Sequence, residues 1–171
     1  MKRKDQPCGP YYAQNPLTLI MRIRPEQVNP EHSNVQMMKA ALIKAGLGGA
    51  SLANDAKIHF ARFVFLENDT QMGVITSYDF SFEDYIFTFL KNFGELFDDL
   101  FQYVIDPPPS PVREFPEAFG DYVYRNDVKP FVFFGAYEDL SVANILNQFG
   151  RIARDVTLEK PTKPAEIPTP P

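Results

Sequence analysis

Three side chains between residues 59 and 79 combine residue types and spacing that suit proton transfer. His59 lies in an apolar, aromatic segment, and its imidazole can act as a general base or as a structural hydrogen-bonding group. Tyr78 and Asp79 are adjacent, so the carboxylate of Asp79 can accept a proton close to the phenol. The sequence therefore predicts His59, Tyr78 and Asp79 as candidate catalytic residues.

Two arginines, Arg22 and Arg62, are candidates for binding an anionic ligand. Each lies in a strand-like segment, two residues from an apolar residue that therefore shares its sheet face. Arg22 shares a face with Ile20, and Arg62 shares a face with Val64. A guanidinium binds carboxylate oxygens in two places at once, so two of them on one sheet face predict a clamp for a carboxylate. His59 is an odd number of residues from Arg62 and lies on the opposite face unless a β-bulge intervenes.

Each candidate also has a purely structural interpretation. A carboxylate before a helix, such as that of Asp79, stabilises the positive helix end by about 0.3–1 kcal/mol without catalysis. The arginines can pair with Asp79 or with glutamates, or lie at a dimer interface, because unpaired buried charge is rare. Residue types alone leave both interpretations open.

Metal and phosphate chemistry find little support in the sequence. Two histidines and one cysteine without close spacing predict no tetrahedral zinc site, so no metal ligands are assigned. The glycine-rich run that begins at Gly46 lacks the lysine and hydroxyl residue of a phosphate-binding loop and follows a helical pattern. It is interpreted as a helix stop.

Alternating and β-branched residues predict four strands that position these side chains. The strand 58–66 is joined to the next by turn-forming residues, which indicates a hairpin. The predicted strands are 17–24, 58–66, 72–78 and 131–137.

Helical periodicity predicts three helices. The first starts at Asn29-Pro30 and ends at Gly46, and the second is capped by Ser81 with Asp84 and runs to residue 104. A last helix starts at Asp139 or Ser141 and ends within 150–154. The proline-rich start of segment 106–129 predicts a loop with no more than a short helical piece.

This order, β-α-β-β-α-β with a trailing helix, predicts an α+β, ferredoxin-like domain with a four-stranded antiparallel sheet. Both helices then cover one sheet face and leave the other bare, which favours a homodimer with its sheets face to face. The predicted organisation is an irregular N-terminal arm over 1–15, the domain over 16–156, and a proline-rich tail over 157–171.

Composition narrows the function classes. The chain has 171 residues and a formal net charge of −5, without a basic stripe for phosphates, so no nucleic-acid partner is expected. No run approaches the ~18 apolar residues that span a bilayer, so no membrane partner is expected. With a single cysteine, Cys8, the sequence is interpreted as that of a cytoplasmic protein.

The strand HFARFV that starts at His59, the S-Y-D turn that ends at Asp79 and the following aromatic helix resemble a group of bacterial dimeric α+β barrel proteins. The similarity covers roughly residues 17 to 150. Phe80 replaces the glycine that usually follows the aspartate in that pattern.

The resemblance implies oxidative chemistry without selecting a reaction, because better-understood dimeric barrels include dye-decolourising peroxidases and haem-degrading or quinone-forming monooxygenases. It identifies no cofactor, although haem is considered. In haem barrels the axial histidine lies on a helix, and the helices after residue 80 have none. The predicted function is a dimeric barrel that binds a small hydrophobic or anionic ligand, with peroxidase-like or monooxygenase-like chemistry. The alternative is a noncatalytic accessory module that associates through its aromatic sheet face.

Overall fold

The computed structural model describes residues 14–25, 33–46, 58–137, 139–145 and 147–148. The described residues form an α+β fold, as predicted. Most of the predicted arm, the predicted helix start at Asn29-Pro30 and the proline-rich tail lie outside them. The elements are β1 (Asn15–Arg22), α1 (Asn34–Lys44), β2 (Ile58–Leu66), β3 (Gln71–Tyr78), α2 (Phe82–Phe101) and α3 (Pro116–Asn126).

The sheet of the described residues has three strands in the order β1-β3-β2, and β3 is antiparallel to both neighbours. Two central pairings set its register: Thr18 of β1 and Arg62 of β2 both lie opposite Ile75 of β3. The prediction of β2 is confirmed at both ends. β1 begins two residues earlier than predicted, at Asn15.

The two faces of the sheet have different environments, as the alternation predicts. The inner face packs against the helices and forms the core together with them. Its buried side chains are Leu17, Leu19 and Met21 of β1 and Met72, Val74, Thr76 and Tyr78 of β3.

Helix α2 begins as predicted. The Ser81 hydroxyl accepts from the backbone N–H of Asp84 at 3.1 Å and donates to the Asp84 carboxylate at 2.8 Å. The helix ends at Phe101, three residues before the predicted end. Its apolar stripe supplies the largest part of the aromatic core, in which Phe97 packs edge-on against Phe101 and Phe119.

Helix α3 corrects the prediction of a loop over 106–129. Pro116 occupies the first turn, where its missing N–H is not needed, and the helix continues for 11 residues to Asn126. Phe119, Tyr122 and Val123 recur at helical spacing and are buried against α2 and β1. The run of prolines that precedes this helix ends at Pro111 and favours a loop. An interpretation based on helix-breaking residues alone therefore misses the short amphipathic pattern that follows.

The predicted fourth strand is wrong: residues 131–137 are irregular. Their neighbours Asp127 and Val128 do reach the free edge of β1, where the Val128 N–H donates to the Thr18 carbonyl at 2.8 Å. Continued by two residues, this antiparallel register sets Pro16 opposite Pro130. Neither proline has an N–H, so the ladder ends before the apolar segment begins.

The remaining helix ends partly match the predictions. Ser33 is the N-cap of α1 and forms a capping box with Gln36, a signal missed in the sequence. Gly46 adopts φ +59° directly after this helix, as a helix stop requires. A helical turn begins at Val142 with Ser141 as its cap, as predicted, and its predicted end at 150–154 lies outside the described residues.

Candidate functional site

His59 and Asp79 form a buried pair at the end of the sheet. The register of β2 shifts between Ile58 and Phe60, so His59 is the extra residue of a bulge. The imidazole Nε2 lies 2.7 Å from Asp79 Oδ1, and the two side chains are 9% and 0% exposed. The bulge brings His59 to a carboxylate that comes after β3.

The second oxygen of Asp79 is also engaged. Oδ2 accepts from the backbone N–H of Val142 at 2.8 Å, in a buried hydrogen bond that spans 63 residues. Val142 begins the helical turn capped by Ser141, whose hydroxyl accepts from the Asn144 N–H at 3.2 Å. Asp79 therefore connects the bulge of β2, the end of β3 and the start of the last helical turn.

Phe80 holds the backbone in a conformation that side chains disfavour. Its φ is +67°, in the left-handed region where glycine has no steric cost. The side-chain amide of Asn15 donates to the Phe80 carbonyl at 3.0 Å and so helps to hold this turn. A phenylalanine thus occupies a turn position whose geometry suits glycine.

Tyr78 is fully buried and stacks on Tyr85, with ring centroids 4.2 Å apart and planes inclined by 22°. Burial raises the pKa of the Tyr85 phenol, the nearby Tyr78 raises it further, and a hydrogen bond with the Thr76 side chain opposes them. Tyr85 stays protonated at neutral pH, so it acts as a core aromatic and hydrogen-bonding group rather than as a base.

The two arginines lie apart from this pair and from each other. Arg62 is exposed at the middle of β2, while Arg22 is exposed at the far end of β1, with its guanidinium 4.0 Å from Asp106. The register sets Arg22 opposite Gln71, seven residues along β3 from Tyr78, or about 23 Å at 3.3 Å per residue. The structure pairs His59 with Asp79, while the ring of Tyr78 packs on Tyr85. Arg22 and Arg62 lie on the same sheet face, on β1 and β2, and their partners on β3, Gln71 and Ile75, are four residues apart.

The sheet face opposite the helices, here called the outer face, is largely apolar. Phe60 and Leu66 expose 52% and 38% of their surface on it. At its centre, a Cβ on Gly73 would lie 3.0 Å from Val64 and 3.3 Å from Ile20, so these side chains close over the glycine. The register assigns to this face Pro16, Thr18, Ile20 and Arg22 of β1, Phe60, Arg62, Val64 and Leu66 of β2, and Gln71, Gly73, Ile75 and Ser77 of β3.

A surface hollow of about 410 Å³ opens at the hairpin end of the sheet. Its wall includes Arg22, Arg24 and Asp69, and Arg24 is held there because its Nε donates to the Val104 carbonyl at 2.8 Å. Of the predicted site residues, only Arg22 lines this hollow. The buried pair of His59 and Asp79 lies at the opposite end of the sheet.

Comparison with protein-family models, curated proteins and solved structures finds no match to this chain. Within the described residues, no helix is both long and apolar enough to cross a membrane. In the same part of the chain, no three His, Cys, Asp or Glu side chains cluster in a way that could hold a metal ion.

Sequence reasoning missed the role of Val142 and foresaw only part of the Asp79 site. The alternation of side chains in β2 correctly places Arg62 on the same face as Val64. It also predicts that His59 lies on the opposite face unless a bulge intervenes. The bulge itself leaves no signal in the residue types. The part played by Val142 has no signal in the sequence, because it depends on a backbone N–H and not on the side chain.

Proposed function

We propose that the chain is a self-associating α+β module, in which two copies pack the outer faces of their sheets together as a dimeric, ferredoxin-like barrel. The single observation that carries the proposal is the apolar outer face, on which Phe60 and Leu66 are exposed. Large exposed apolar patches commonly mark interaction sites, and a face shared by identical chains suits a two-fold interface. The strand order β1-β3-β2 agrees with a ferredoxin-like sheet that lacks its outermost strand.

The composition of the outer face favours a second copy as the partner. Ile20, Val64 and Ile75 form an aliphatic centre, and Gly73 lets the side chains around it sink toward the sheet. The side chains of two such faces can interdigitate when the sheets lie about 10 Å apart, as they do in β-sandwich proteins. This role requires no catalysis, in line with the accessory-module interpretation.

Association is tested by light scattering coupled to size-exclusion chromatography. Val64→Asp places a carboxylate at the centre of the outer face and is expected to weaken the dimer at least a hundredfold, because an unpaired charge is costly to bury. Ile43→Asp is the matched control, since Ile43 is 80% exposed on α1, and it should remain dimeric. A monomeric wild type, or a Val64→Asp variant as dimeric as the control, contradicts the proposal.

Ligand binding between the two sheets is a second candidate function, and Arg62 favours it. Arg62 has no ion pair or hydrogen bond with any described residue, although it stands among apolar side chains of the outer face. Covering this face would remove water from the guanidinium, which then needs an anionic partner. A small apolar carboxylate between the sheets supplies both kinds of contact.

Haem and oxidative chemistry belong to this second candidate. Asp79 holds Nε2 of His59, so only the other ring nitrogen remains for a ligand or a proton, and the side chain is 9% exposed. A visible spectrum recorded before and after hemin addition distinguishes haem binding from binding of an apolar anion. A Soret shift lost in His59→Ala supports haem binding through His59, whereas an unchanged spectrum leaves an apolar anion as the ligand to seek.

A further inference from the structure

Two backbone edges lack hydrogen-bonding partners among the described residues. One is the free edge of β2, which pairs with β3 alone in that part of the chain. The other is the segment 131–134, whose backbone makes no hydrogen bond with any described residue. Exposed edges of this kind are templates for pairing with another chain.

The segment 131–134 has the residue types of a strand and unusual exposure. Its sequence is Phe-Val-Phe-Phe, and aromatic and β-branched residues favour strands. Phe131, Val132, Phe133 and Phe134 are 103%, 76%, 42% and 84% exposed, so water surrounds an apolar surface that a partner can bury.

This segment cannot become a strand on its own sheet. The short contact of Val128 with β1 continues into Pro16 opposite Pro130, and neither residue can donate a hydrogen bond. The segment then leaves the edge toward Tyr137, whose carbonyl accepts from the Gln14 side chain at 2.7 Å. Its own β2 lies two strands away, about 10 Å across the sheet.

We propose that residues 131–134 of each copy add as a strand to the free β2 edge of the second copy. The inference rests on the proposed homodimer and names the contact that completes it. Pairing with β2 gives the segment the hydrogen bonds that the two prolines deny it on β1. It also removes the one sheet edge that the described chain leaves open along a whole strand.

The area of the outer face supports this second contact. Three strands of eight residues span roughly 14 by 26 Å, or about 370 Å² per copy, well below the ~800 Å² per partner of a stable interface. Three phenylalanines and a valine add on the order of 500 Å² per copy when buried, since a Phe buries ~150 Å² or more. Face packing and strand addition together reach the usual size.

The alternation of side chains divides the segment between two environments. Phe131 and Phe133 point to one side of the added strand, and Val132 and Phe134 point to the other. One pair then extends the apolar outer face beside Phe60 and Val64, and the other pair lies on the helix side of the partner sheet. Both environments are apolar, which suits a segment without a polar side chain.

Paired proline and alanine variants test the added strand. On an edge strand, only alternate residues direct their N–H toward the neighbouring strand. Val132→Pro and Phe133→Pro are therefore compared with Val132→Ala and Phe133→Ala by measuring the dimer dissociation constant in sedimentation velocity runs. One proline variant should weaken the dimer at least tenfold beyond its alanine counterpart, and its neighbour should show a much smaller excess. The proline and alanine monomers should be equally stable, because no N–H of 131–134 bonds to a described residue of its own copy.

Hydrogen exchange of the wild type is an independent test of the added strand. The alternate amides of 131–134 that face β2, and the amides on the free edge of β2, should gain protection together as the concentration rises through the dissociation constant. If a dimer forms and Val64→Asp disrupts it, yet the prolines match the alanines and 131–134 stays unprotected, the outer-face dimer stands and the added strand is overturned. If Val64→Asp stays dimeric while one proline variant dissociates, the added strand stands and the outer-face packing fails. A wild type that is monomeric at every concentration overturns both.

Discussion

His59 Nε2 and Asp79 Oδ1 lie 2.7 Å apart in a part of the sheet that is closed to water, while the other oxygen of Asp79 accepts from the Val142 N–H. One side chain thus joins segments that are 20 and 63 residues away from it. The same geometry that suggests a catalytic dyad also serves as a cross-link of the fold. The two roles differ in what their removal changes.

Asp79→Ala tests the structural role. It leaves the imidazole and the Val142 N–H buried without their acceptor, so the free energy of unfolding should fall by about 3–5 kcal/mol. Urea unfolding followed by circular dichroism measures the loss. Asp121→Ala, at an exposed site on α3, is the control and should change stability by no more than about 0.5 kcal/mol. Equal stability of the two variants contradicts the cross-link.

Phe80→Gly should relieve the backbone at φ +67°. Phe80→Ala is the proper reference, because it removes the same ring but keeps the Cβ that causes the steric cost. The glycine variant is expected to be more stable than the alanine variant by about 1 kcal/mol, after allowance for the greater freedom of glycine in the unfolded chain. Thermal unfolding of both variants decides the order, and a more stable alanine variant refutes the assignment.

Gly94→Ala should destabilise α2, although alanine is normally the better helix former by about 1 kcal/mol. A Cβ at this position would lie 2.7 Å from both Cγ and Nε of Arg113. That arginine is fixed, because its Nε donates to the Leu90 carbonyl and its Nη1 to the Glu95 carboxylate, each at 3.0 Å. In an Arg113→Ala background the same substitution should instead stabilise the helix. Additive effects of the two changes in chemical denaturation speak against the contact.

Tyr122 should make the fold sensitive to strong alkali. Burial raises its pKa to about 12, while Arg125 and Arg22 lower it to a smaller extent and Asp106 raises it slightly. The unfolded chain loses this proton near pH 10, so the stabilisation is complete below pH 10 and is lost as pH rises to about 12. Urea unfolding of Tyr122→Phe should decline less steeply over this range than that of the wild type. Tyr137→Phe, at a 63% exposed residue, should follow the wild type.

Local sequence signals predicted the central elements well. The run of β-branched and aromatic residues in β2 and the Ser81 cap of α2 act within a few residues, so their patterns gave the hairpin and the helix start directly. The alternation of side chains along β2 then placed Arg62 on the outer face. These features depend on side chains whose partners lie nearby in the chain.

Features that depend on distant contacts were not accessible from the sequence. Residues 131–137 have strong strand propensity, yet pairing requires donors on both edges, and the register that sets Pro16 against Pro130 exists only in three dimensions. The cross-link at Asp79 likewise depends on a bulge and on a backbone N–H. Helix α3 is different, because Phe119, Tyr122 and Val123 carried a readable helical period that the preceding prolines obscured.

Sedimentation equilibrium of the unmodified chain tests the central claim, pairing of two copies through the outer face, most directly. The account predicts a mass that rises with concentration from that of one chain of 19.5 kDa to twice that value and then stays constant. A mass that remains at 19.5 kDa up to the highest soluble concentration contradicts it.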